Sequence, residues 1–236
     1  MNKIKENKNA GFSLVEMIVS ILIVAIMMFG VTAFISTSRV AYMKVTTSSK
    51  LQEEADAAVK FVNELLMEAQ DYAWNTGSRS ESIYSIDYDV LCIKTLDNDP
   101  GASATRAQKL VMYYYFILVD KADGTIRYCK KAASVIDSET DASKKLQFKT
   151  TDDGTTRYMV NLDKNIDKIF AGVLDSAENR KYSYIAGKLD TAATGGPMAI
   201  SHSVQKNGKK IQIVFTFKYN GETFKTTINN LIRNKL

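Results

Sequence analysis

Apolar and polar positions follow three successive patterns along the chain. From Phe12 to Ile35 apolar residues run almost unbroken, with one carboxylate, Glu16, inside the run. About 24 positions at 1.5 Å each make a helix of about 36 Å, long enough to cross a bilayer. From Leu51 the period becomes that of an amphipathic helix. Leu51, Ala55, Ala58, Val62, Leu65 and Ala69 recur at spacings of four and three among Gln52, Glu53, Glu54, Asp56, Lys60 and Glu64. A single stripe of this kind packs on the protein's own sheet, because an intermolecular coiled coil needs a longer heptad run. No proline interrupts residues 12–75, so a nearly continuous helix of about 60 residues, or about 90 Å, is allowed. The polar patch Thr46-Thr47-Ser48-Ser49 is its weakest point, and Asn75-Thr76-Gly77-Ser78 supplies a stop.

From residue 82 the period is two. Tyr84, Ile86, Tyr88, Val90 and Cys92 alternate with Ser85, Asp87, Asp89 and Leu91, which predicts a strand with one wet face. Lys109 to Asp120 is a denser apolar strand, and Asp123-Gly124 turns it back into Thr125 to Lys131. Asn207-Gly208 and Asn220-Gly221 bracket a strand in which Ile211, Ile213, Phe215, Phe217 and Tyr219 share a face. Two such turns predict a three-strand antiparallel meander from Met198 to Ile228. Phe148, Tyr158 to Leu162 and Ile166 to Val173 add edge elements. The predicted class is α+β, a long amino-terminal helix packed on a mainly antiparallel sheet.

The apolar run is too long for a secretory signal core, and no small-x-small cleavage site closes it. It continues instead into Ser36-Thr37-Ser38-Arg39. A carboxylate inside such a run costs several kcal/mol to bury without a partner. A wet position near the membrane surface would remove that cost. It would leave unexplained why the run begins abruptly at Phe12, after Gly11 and a short basic leader.

The string Gly11-Phe12-Ser13-Leu14-Val15-Glu16-Met17 resembles the processing site of type IV prepilins and type II secretion pseudopilins. The resemblance implies cleavage between Gly11 and Phe12 by a membrane-embedded prepilin peptidase on the cytoplasmic side, and N-methylation of Phe12. It also implies that Glu16 pairs with the terminal amine of a neighbouring subunit during filament assembly. An amine and a carboxylate buried among packed helices each need an opposite charge. The proline that many major pilins carry within the anchor is missing from Gly30-Val31-Thr32-Ala33. The stretch from Ser49 through Ala69 is similar to the large minor members of that family, the J-type pseudopilins and W-type minor pilins. Residues 1–11 then form a leader, 12–38 a transmembrane and assembly helix, 39–75 an amphipathic stalk helix, and 76–236 an exported β-rich domain. Lys3, Lys5 and Lys8 precede the span while Arg39, Lys44 and Lys50 follow it, so charge alone orients it weakly. The resemblance implies an amino terminus inside, the bulk of the chain outside, and membrane lipid and other pilin subunits as partners.

Composition adds limits. The net charge is +5, of which the first eleven residues give two units, and the other charges are scattered. A nucleic-acid surface would need them gathered on one face. Cys92 and Cys129 are the only cysteines. They are free to form a disulfide if this region is exported, closing a loop worth about 4 kcal/mol in the chain-entropy model. Otherwise they are small buried apolar residues. His202 is the only histidine and lies in a strand pattern, so a zinc site of the usual kind is disfavoured and no metal or cofactor is expected. Asp97-Asn98-Asp99-Pro100-Gly101 starts like a calcium loop but lacks the later acidic ligands, and it reads, like Asp152-Asp153-Gly154, as a turn. No nucleophile elbow or phosphate loop is present.

The reading these residues favour is a minor pilin or pseudopilin, with no enzymatic activity, that starts or tips a pilus or secretion filament. The chain is large for a subunit that tiles a filament. An alternative is an anchored binding module that captures DNA, as in competence, or a secreted protein. Tyr113-Tyr114-Tyr115-Phe116 is the stretch that would serve it, although alternating aromatics in a strand ordinarily pack a core. A membrane-tethered enzyme is the weakest reading, for want of a site.

Overall fold

A computed structural model describes residues 13–75, 88–98, 110–154, 156–165, 168–169, 183–205 and 208–232. Helix α1 runs unbroken from Leu14 to Glu68, through both Gly30 and the Thr46–Ser49 patch. Two compact units divide at Thr46/Thr47. The first contains the apolar segment of α1. The second contains the rest of α1 and every strand.

In the second unit the predicted stripe is the buried one. Leu51, Ala55, Ala58, Val62, Leu65 and Leu66 are all buried, as is Thr47. The helix stops at Glu68, however, and residues Ala69–Asn75 form strand β1. Local periodicity carried the helix expectation on to Asn75. Pairing overrides it, because Tyr72, Ala73 and Trp74 lie antiparallel to Ile93, Cys92 and Leu91, and aromatic side chains suit a pleated surface.

Strands β1, β2 (Tyr88–Asn98), β3 (Leu110–Asp120), β4 (Thr125–Ala132) and β7 (Tyr184–Ala186) form one antiparallel sheet in the order β1-β2-β3-β4-β7. The predicted meander is a second sheet, β8 (Met198–Gln205), β9 (Gly208–Tyr219) and β10 (Glu222–Ile232), with β9 central. Between β4 and β7 lie the short helix α2 (Ala133–Ile136) and a hairpin of β5 (Gln147–Thr150) and β6 (Arg157–Val160). Asn207 of one predicted turn lies outside the described residues, and the other two turns have the expected chemistry. Asn220 and Gly221 both take positive φ, 49° and 83°, as a two-residue hairpin turn requires. Gly124 takes φ 65°, and a Cβ there would meet the Leu189 carbonyl oxygen at 2.8 Å.

The helix stripe packs with Leu91, Ile93, Ile117 and Val119 of the first sheet and with Ile211, Ile213, Phe215 and Phe217 of the second. Among the described residues the first sheet shows no wet face of the predicted kind. Val90 and Cys92 of β2, together with Phe116 and Leu118 of β3, enter a second core with Ile136, Leu146 and Met159 from the inserted lobe. Alternation in β2 therefore separates two cores rather than core from water. The one acid on that strand with a described side chain in the buried region, Asp89, is paired with Lys121 at 2.8 Å. Residues 82–87 of the predicted strand, the stop at 76–78, and most of Ile166 to Val173 lie outside the described residues.

Candidate functional site

The first turn of α1 closes on itself. The Ser13 N–H donates to Glu16 Oε2 at 3.0 Å, and the Glu16 N–H donates to Ser13 Oγ at 3.4 Å. This is a reciprocal capping box, in which a serine and a glutamate three residues later each satisfy a donor that the helix leaves open. The carboxylate also lies at the positive end of the helix dipole. The pattern Ser13-Leu14-Val15-Glu16 carries that signal, and reading Glu16 solely as a charge in an apolar run passes over it. Glu16 is exposed, and of its two carboxylate oxygens Oε2 takes the hydrogen bond from Ser13.

Beyond it the helix is apolar on every side. Large side chains from Leu14 through Phe34 and Ile35, and on to Val45, stand exposed, a surface that needs lipid or protein to cover it. The segment is long and apolar enough to cross a membrane. Its hydroxyls need no external partner, because Ser20, Thr32, Ser36 and Thr37 donate to the carbonyls of Glu16, Met28, Thr32 and Ala33 at 2.7–2.9 Å. Polar groups satisfied within their own helix are what a hydrocarbon environment demands.

Gly11 and Phe12 lie outside the described residues. Residues 7–32 match the family described as the prokaryotic N-terminal methylation motif. The chain is a type IV pilin- or pseudopilin-like subunit. That motif implies processing by a prepilin peptidase and assembly with other pilin subunits, and the apolar helix is consistent with an inner-membrane pilin before assembly. No curated protein and no solved structure matches the chain.

The pilin-like subunit places the other residues singled out by sequence in its packed domain. Cys92 on β2 and Cys129 on β4 both lie opposite Phe116 of β3, one on each side. Two strand spacings, about 9.6 Å, separate their backbones, whereas a disulfide needs Cα atoms within about 7 Å. Both thiols are free and buried, so the pairing that the sequence allowed is not formed. Burial pushes the Cys129 thiol up to about 11 and raises Cys92 well above its ordinary value.

His202 is buried on β8, and its Nδ1 shares a short hydrogen bond with the Tyr72 hydroxyl, which also lies 3.3 Å from the Lys210 carbonyl. Its Nε2 has no hydrogen-bond partner among the described residues. Burial, then the cations of Arg157 and Lys209, hold the imidazole below its usual range, against an opposing pull from Asp71. Asp71 is itself the hub of a charged cluster, paired with Arg157 and, at 2.9 Å, with Lys209. Asp97 pairs with Lys130 at 2.6 Å, while the rest of the calcium-like string, from Asp99, lies outside the described residues. Tyr114 and Phe116 are buried, and Tyr114 donates to Asp137 at 3.1 Å. Among the described residues no group of three His, Cys, Asp or Glu side chains is placed to hold a metal.

Two features carried no sequence signal. Glu54, on the flank of the stripe, accepts the Gly187 N–H at 2.7 Å and the Tyr184 hydroxyl at 3.0 Å. Lys188, the next residue, stands at φ 63°, a conformation that costs a non-glycine residue about 1 kcal/mol.

Proposed function

We propose that the chain is a minor pilin or pseudopilin, cut between Gly11 and Phe12, methylated on Phe12, and assembled through α1 into an initiating or tip complex of a pilus or secretion-like filament. In this reading the amino terminus faces the cytoplasm and the domain after the anchor lies outside. The observation that carries it is Glu16, exposed on the first turn of a bare apolar helix, five positions after Gly11 within the matched segment. Once α1 is surrounded by other helices that carboxylate needs a cation, and the amine freed at Phe12 of a neighbour is one. The similarity of Ser49 to Ala69 to the large minor members supports the subclass.

Two substitutions separate the roles of Glu16. Glu16→Gln keeps a capping acceptor and removes the charge, whereas Ser13→Ala weakens the cap and keeps the charge. With the full chain expressed beside an active prepilin peptidase, the mature peptide should start at a methylated Phe12. Gly11→Leu should abolish cleavage. Glu16→Gln should be cleaved yet fail to co-purify with partner pilins, whereas Ser13→Ala should be cleaved and still co-purify with them. A chain that keeps residues 1–11 beside active peptidase sinks the reading.

A further inference from the structure

Between the first sheet and the inserted hairpin lies a cleft of about 470 Å³, lined by Asp71, Lys94, Tyr114, Asp137 and residues 145–148. Ligand clefts are ordinarily about 300–1,000 Å³. Gln147 and Phe148 point to opposite faces of β5, so both border the cleft because the strand turns its edge toward it. That edge is open. Among the described strands β5 pairs with β6 alone. Met159, opposite Phe148 in the ladder, turns its backbone away from β5: its N–H donates to Asn75 Oδ1 at 2.8 Å, and its carbonyl accepts Asn75 Nδ2 at 3.2 Å. Phe148 and Met159 are therefore a non-bonded pair of the ladder, and the Phe148 N–H and C=O point off the other edge. Neither group has a backbone partner among the described residues.

The cleft also carries unbalanced positive charge. Asp71 and Lys94 are cross-strand neighbours, yet Asp71 is held by Arg157 and Lys209, and Asp137 accepts the Tyr114 hydroxyl. Lys94 is half-buried with its ammonium 5.4 Å from the centre of the Tyr114 ring, and among the described residues it makes no ion pair. Lys145, on the other wall, is exposed. The Tyr114 and Phe148 rings, 5.9 Å apart, form the apolar lining between them. An open strand edge beside an unneutralised cation suits an extended peptide, whose backbone continues the ladder and whose carboxylates meet the lysines. We propose that the free edge of β5 and this cleft bind an acidic peptide segment of another protein in extended conformation. This surface lies wholly in the second unit and goes beyond the assembly role of α1.

The full chain in detergent micelles tests it, with a blocked heptapeptide of alternating glutamate and threonine as probe. The peptide should bind saturably and slow hydrogen exchange of the Phe148 amide, read by NMR, by about tenfold or more. An analogue with every amide N-methylated, and one with lysine in place of glutamate, should each bind about tenfold more weakly. Lys94→Gln should weaken binding several-fold while the midpoint of urea unfolding stays in place. Equal binding of the N-methylated analogue would reduce the site to an ionic contact and overturn the proposal. Equal binding of the lysine peptide, or no saturable binding at all, does the same. A Phe148 amide already protected in the free chain would mean that the edge is taken, and protection rising with protein concentration alone would give it to a second copy; either result overturns the proposal. A chain that keeps residues 1–11 beside the peptidase would defeat the processing reading and leave this measurement intact.

Discussion

The carboxylate of Glu54 on α1 accepts the backbone N–H of Gly187 at 2.7 Å, and so fastens the helix to the edge of the five-stranded sheet beside β7. Strand β7 has only three residues, too few to hold an edge by its own ladder. Glu54→Ala should destabilise the detergent-solubilised chain by about 1–2 kcal/mol, the ordinary worth of a partly buried hydrogen bond to a charged group. Burial first, and then Glu54, push the Tyr184 hydroxyl up to about 12. Its titration, followed by NMR, should move down toward the ordinary tyrosine value in the variant. A Tyr184 titration that does not move removes Glu54 from this role.

His202 makes stability depend on pH with a definite sign. Its folded pKa is depressed below 6.5, so as pH falls through 6.5 the unfolded chain takes up a proton that the folded chain refuses. Stability should therefore fall as pH drops from 6.5 to the folded value, and this contribution should be complete above 6.5. The single tryptophan, Trp74, lies with its ring centroid 6.3 Å from the imidazole, so its fluorescence reports on unfolding close by. In His202→Phe the slope of stability against pH in that window should flatten; an unchanged slope assigns it to another group.

Arg157 is buried with its guanidinium on Asp71 and its Nε donating to the Tyr72 carbonyl at 2.7 Å. Asp71→Ala leaves that cation without a counter-charge in a half-buried setting and should cost about 1.5–3 kcal/mol, the usual worth of a hydrogen bond to a charged group. Lys209→Ala leaves the Arg157 pair intact and should cost no more than about 1 kcal/mol. Urea unfolding of both variants checks the ranking, and equal losses would contradict it.

Because Phe116 separates Cys92 from Cys129, the folded chain should react slowly with thiol reagents at neutral pH, as buried thiols with raised pKa values do. Under denaturing conditions, without reductant, two thiols per chain should titrate, even in protein recovered from the oxidising side of the membrane. Recovery of none would mean that the strands part to let them join.

The long helix and the β8-β9-β10 meander were legible because each rests on local information: an unbroken apolar run, a stripe at helical spacing, and Asn220-Gly221. Strand β1 was not, since Ala69 completes the helical stripe and only pairing with β2 decides otherwise. The burial of both faces of the first sheet was also hidden, because Val90 and Leu91 look alike to a periodicity argument whether the second face meets water or the inserted lobe. Of the candidate site, Glu16 was legible by its oddity, and its cap partner Ser13 was equally visible in the spacing. The clasp of Glu54 on Gly187 joins residues far apart in sequence, and no local pattern announces it.

The shared core also orders events in time. Val62 sits in one cluster with Ile213, Phe217 and Ile232, so the stripe translated early finds its covering strands only after almost all of the chain has been made. Contacts of such long sequence separation form slowly. Until β9 and β10 arrive, the helix lacks Ile211, Ile213, Phe215 and Phe217 as packing partners, and the stripe stays partly uncovered. A chain built in this way completes its core only when the hairpin of β9 and β10 closes.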